Sequence, residues 1–126
     1  MEDQLTMQRL RNRVLEYLEL ASCFEEQAHY QQTVPHAHVP TEIICQWEDF
    51  AGTDGLDWIS RPAYSKSEIA ALRRFHSAWE ATCRETPDPL PELDRLRGDA
   101  AWQRLMAAAG DALKTMKIRG RLSESP

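Results

Sequence analysis

Cysteine is scarce in this chain. Cys23, Cys45 and Cys83 are the only three in 126 residues, an odd number, far apart and never arranged as C-x-x-C. That pattern speaks against a disulfide framework or a zinc knuckle, and it predicts free thiols buried as small hydrophobes. Glycine is equally sparse. Gly52, Gly55, Gly98, Gly110 and Gly120 stand isolated, so there is no phosphate-cradling loop, no dinucleotide fingerprint and no G-x-S-x-G elbow.

Positive charge is also in short supply. The formal net charge is -5, which argues against nucleic acid as a partner, because binding phosphates needs an excess of Lys and Arg on one face. No apolar run approaches the roughly 18 residues of a membrane span. The opening Met1-Glu2-Asp3-Gln4 is acidic where a secretory signal would be basic. The expectation is a cytoplasmic chain without membrane contact. Finally, no segment sustains the period-two alternation of a half-buried strand, and no internal repeat is visible.

What the chain does have is helical periodicity. Residues 3–32 contain no Gly or Pro, and Met7, Leu10, Val14, Tyr17, Ala21, Phe24 and Ala28 recur at alternating spacings of three and four, one stripe of an amphipathic helix. Leu15, Leu18 and Leu20 widen that stripe. An unbroken helix of this length would span roughly 45 Å, longer than a domain of this size is across. It must therefore break, or project and pack against a second copy, a route to a homodimer through the N-terminal helix.

Pro35 and Pro40 bracket a short arm carrying His36 and His38, and neither proline can continue the first helix. Pro40 can serve as the first residue of a second helix running to about Phe50, with Ile43, Ile44, Trp47 and Phe50 on one side. Ala51 to Gly55 reads as a loop, and Arg61-Pro62 closes the irregular stretch. Ser65 and Glu68 spell an S-x-x-E capping box, opening a helix to about Glu85 with Ile69, Leu72, Phe75, His76, Trp79 and Cys83 facing the core. Pro87, Pro89 and Pro91 make an extended linker, and Leu90, Leu93 and Leu96 a short helical turn ending at Gly98. Asp99 caps a last helix bearing Trp102, Leu105, Met106, Ala109, Leu113 and Met116, with Gly120 as its stop. The predicted fold is all-α: a helical bundle of three long and one or two short helices, a single domain over residues 1–120, and a frayed tail over 121–126.

The candidate chemistry is thin. His29, His36, His38 and His76 are possible transition-metal ligands, and Glu26-Gln27-Ala28-His29 is a Glu-x-x-His on a helix. A di-iron site needs a second such motif, and the nearest substitute, His76 with Glu80, has the wrong spacing. Cys45 beside the His36/His38 arm is a conceivable Cys/His pair, but the carboxylates that follow it disfavour a thiolate. No catalytic residue and no cofactor is assigned, and no motif of a known family is matched.

The remaining feature is a charge asymmetry. Residues 1–60 hold Arg9, Arg11 and Arg13 against eleven Asp and Glu, 3 - 11 = -8, while residues 61–126 hold twelve against nine, +3. Between residues 40 and 60, Glu42, Glu48, Asp49, Asp54 and Asp57 occur with Trp47, Phe50 and Trp58 and without any Lys or Arg. Aromatic anchors ringed by carboxylates suit recognition of a basic protein partner. On this reading His36, His38, Trp47, Glu48, Asp49 and Trp58 form the binding surface; the competing reading packs Trp47 and Phe50 into the core. A metal protein or enzyme using His36 and His38 with His29, His76, Glu26 and Glu80 is the alternative.

Overall fold

The computed structural model describes residues 2–52, 56, 58–59 and 63–124, with side chains from residue 4 onward. The fold is an all-α bundle. In chain order the described residues form α1 (Glu2–Ala21), α2 (Phe24–Thr33), α3 (Val39–Ala51), α4 (Lys66–Glu85), α5 (Leu93–Leu96) and α6 (Ala100–Met116). No helix among them is long and apolar enough to cross a membrane.

The apolar stripe predicted over residues 3–32 is interrupted. Cys23 takes an extended conformation (φ -131°, ψ 110°), which ends α1 and starts α2. Neither glycine nor proline causes this bend; a side chain holds it. Gln27, wholly buried, donates from Nε2 to the carbonyls of Leu20 and Ala21 at 3.1 Å each, and accepts the Trp102 indole N–H of α6 at 3.0 Å. Two of the carbonyls that a helix end leaves without partners are thereby satisfied. The helix thus breaks, one of the two outcomes its length required, and Val14, Leu15, Tyr17, Leu18 and Ala21 are buried within the chain, against α2, α3 and α6.

The other boundaries follow local rules. Pro40 lies in the first turn of α3, where its missing amide costs nothing. Asp99 accepts the Trp102 backbone N–H at 2.9 Å and caps α6. At α4 the capping box is complete: Ser65 Oγ accepts from Glu68 N at 3.2 Å, and Glu68 Oε1 accepts from Ser65 N at 2.9 Å. A Ser65→Ala variant is expected to lose about 1 kcal/mol of stability, read from its unfolding midpoint.

The core face of α4 is rotated slightly from the predicted stripe. Glu68, Ala71, Leu72, Phe75 and Thr82 are buried, whereas Cys83 is exposed. Cys45 is exposed too, and Cys23 half-buried, so the cysteines do not fill the core as expected. In their place an aromatic cluster joins α1, α3 and α4. Trp47 stacks on Tyr17 at 5.8 Å and meets Phe75 edge-on at 4.8 Å. The Tyr17 hydroxyl donates to the Ile43 carbonyl at 2.8 Å, and burial pushes that phenol well above its usual pKa.

A buried ionic network lies at the start of α4. Arg11, with no exposed surface, reaches Glu68 at 3.1 Å, donates to the Gly120 carbonyl at 2.8 Å and stands over the Tyr64 ring. Arg119 joins Glu68 from the other side and donates to the Ala63 carbonyl at 2.7 Å. Burial alone would raise the Glu68 carboxyl, but the hydrogen bonds from Arg119 and Ser65 and the charge of Arg11 outweigh it and hold the group below its ordinary value.

The segment expected to fray is, as far as Glu124, tied to α1. Asn12, 1% exposed, donates to the Leu122 carbonyl at 2.8 Å and accepts the Leu122 N–H at 2.9 Å. Glu124 accepts from Asn12 and Arg13 at 2.9 Å each, and Arg121 pairs with Glu16. The Asn12 amide, followed by Arg13, Arg121 and Arg9, holds the Glu124 carboxyl below its ordinary value against the opposing effect of burial. Polar hooks on α1, invisible to a search for apolar periodicity, order this strap.

Candidate functional site

The surface proposed around residues 35–58 divides into three parts. His36 is exposed in the loop before α3, while His38 is that helix's N-cap residue, its Nδ1 2.6 Å from Thr41 Oγ1. Gln31 splices this arm to α2 by accepting the Val39 N–H at 3.2 Å and donating to the Ala37 carbonyl. Trp47 has no exposed surface. It is a core residue and cannot anchor a partner, because α3 turns it inward onto Tyr17 and Phe75. Glu48 and Asp49 point to solvent from the opposite side of the same helix, and among the described residues neither forms an ion pair. Trp58 is half-buried edge-on to Tyr64 at 5.8 Å, its indole nitrogen enclosed and, among the described residues, without an acceptor. Asp54, Asp57, Gly55, Arg61 and Pro62 lie outside the described residues.

The histidines are not brought together. His29 and Glu26 are exposed on α2. His76 accepts the Trp47 indole N–H on Nδ1 at 2.9 Å, stacks on Trp79 at 5.5 Å, and has Glu80 3.8 Å from Nε2. Its Nδ1 lone pair is therefore used internally, and the ring serves as the polar terminus of the aromatic core. Among the described residues, no three His, Cys, Asp or Glu side chains are grouped to hold a metal ion. The Cys83 thiol, although its residue is exposed, is pushed up by partial desolvation and by Glu48, Cys45 and Glu80, the reverse of what a nucleophilic thiolate requires.

What the fold does build beside Asp49 is a groove of about 410 Å³ between α1 and α3. Arg13, Glu16 and Leu20 form one wall, and Gln46, Asp49 and Phe50 the other, over the ring of Tyr17. Leu20 and Phe50 remain half-exposed because each sits at the margin of the helix contact rather than at its centre. The result is an apolar strip with a charged edge. Arg13 and Glu16 are 3.2 Å apart and already paired, which leaves Asp49 as the unneutralised group on the rim. Sequence reasoning found Asp49 but missed the groove. The signals available were Leu20, off the main stripe, and Phe50, one turn beyond Trp47 on the same side of α3.

The chain matches no family model, no curated protein and no solved structure.

Proposed function

We propose that the chain is a non-enzymatic protein-binding module that uses the α1–α3 groove to hold a basic segment of another protein. The observation that carries this reading is the juxtaposition of half-exposed Leu20 and Phe50 with Asp49 on the groove rim; Asp49 and the exposed Glu48 next to it in sequence, outside the groove lining, are carboxylates free of any ion pair among the described residues. An apolar side chain of the partner would cover the strip, and a neighbouring Lys or Arg would be steered and fixed by the carboxylates. An immunity-type inhibitor and a regulatory adaptor are the two concrete forms such a protein takes. Nothing in the placement of His29, His36, His38 or His76 favours the metal-protein alternative.

Reversing both charges, Glu48→Lys with Asp49→Lys, is expected to weaken association about tenfold or more, the equivalent of about 1.4 kcal/mol, without changing helical content. Pulldown from native lysate with parent and variant chains measures it. Retention of every copurifying protein by the variant would overturn the reading.

A further inference from the structure

The strap on α1 is held in an unusual way. Asn12 lies in the middle of a helix, where asparagine is a poor helix former, and its amide gives both a donor and an acceptor to one residue of a segment without regular secondary structure. This is the pairing that one strand offers another, supplied here by a side chain. Two residues on, a carboxylate meets Asn12 Nδ2 and Arg13, and the Arg9 guanidinium approaches the Glu124 carbonyl at 3.5 Å. The strap brings no apolar anchor: Leu122 stays outside the core cluster and Ile118 is 82% exposed. Most of its ion pairs join exposed side chains and are individually weak.

We propose that the face of α1 carrying Asn12 and Arg13 is a recognition seat for a peptide segment of the form x-x-Glu, read by the backbone of its first residue and the carboxylate of its third, and held in the resting chain by its own residues 121–124. The backbone of the residue two before the glutamate pairs with the Asn12 amide, and the glutamate with Asn12 and Arg13. Tethering gives the strap a local concentration of millimolar order, so an external peptide competes only when the strap is weakened or when it makes further contacts. Arg13 and Glu16 border both this seat and the α1–α3 groove, but the inference does not depend on what the groove binds.

The test uses the full chain and the synthetic peptide acetyl-Gly-Arg-Leu-Ser-Glu-amide, following the backbone amide resonances of residues 9–16. In a Glu124→Lys chain the strap meets Arg9, Arg13 and Arg121 with like charge, so the peptide is expected to reach half-saturation at least fivefold lower than on the parent chain. Adding Asn12→Ala should abolish the titration. A second peptide ending in Lys should not bind the Glu124→Lys chain, and this arm decides the matter should the Asn12 variant lose its helical signal. Equal titration of parent and Glu124→Lys chains, indifference to Asn12, or equal binding of the two peptides would overturn the proposal.

Discussion

A Glu68→Ala variant is expected to lose about 3–5 kcal/mol of stability, the cost of stranding a buried charge. Glu68 is 1% exposed and answers to Arg11, which has no exposed surface, and to Arg119. Without the carboxylate, the wholly buried guanidinium of Arg11 faces that of Arg119, which is 36% exposed, and among the described residues Arg11 Nε already lacks a partner. The same substitution removes one half of the capping box, leaving the Ser65 N–H without its acceptor. Urea unfolding of parent and variant chains measures the loss; a change below about 1 kcal/mol would mean that the network is solvated.

The network also sets a pH dependence. The Glu68 carboxyl is held below its ordinary 4.5 in the folded chain, so the folded state binds this proton less readily than the unfolded one. Its contribution is complete above pH 4.5 and is lost as pH falls through the lower folded value. The parent chain should therefore lose stability as it is acidified below that point, and a Glu68→Gln chain should show a shallower loss.

Truncating Trp47 to alanine is expected to be of similar size, about 3–5 kcal/mol, the usual range for an aromatic in a packed core. The indole contacts Tyr17, Phe50 and Phe75, and its N–H satisfies His76 Nδ1. Both the ring contacts and the hydrogen bond disappear, and the cavity opens where α1, α3 and α4 meet. Thermal unfolding gives the magnitude, and it separates two roles. A core tryptophan lowers the midpoint when removed, whereas an interface anchor would leave the midpoint intact and weaken only association.

Trp47 marks the boundary of what could be read in advance. Its spacing from Ile43 and Phe50 located the inward face of α3, and the S-x-x-E box and Asp99 located the starts of α4 and α6. Those features are local: a cap acts over three residues and a stripe over a few turns. The features that escaped are distant in sequence. Ending α1 at Ala21 depends on Gln27 and on Trp102, 75 residues further along. Ordering residues 121–124 depends on Asn12, 110 positions away from Leu122. A polar residue in a helical pattern reads as solvent-facing, and only its eventual neighbours turn it into a buried one. The groove escaped for a related reason. Its strip is made of residues at the margins of two stripes, and how far apart two helices stand at their edges is a property of packing.

The elbow between α1 and α2 has one more implication. Its turn is closed locally by the Ser22 hydroxyl, which donates to the Glu19 carbonyl, and from α2 by Gln27, which also receives an indole from across the bundle. The α1–α2 elbow is consequently not a portable part. Grafted onto another scaffold without a donor opposite Gln27, it would straighten toward the continuous rod that its apolar periodicity describes.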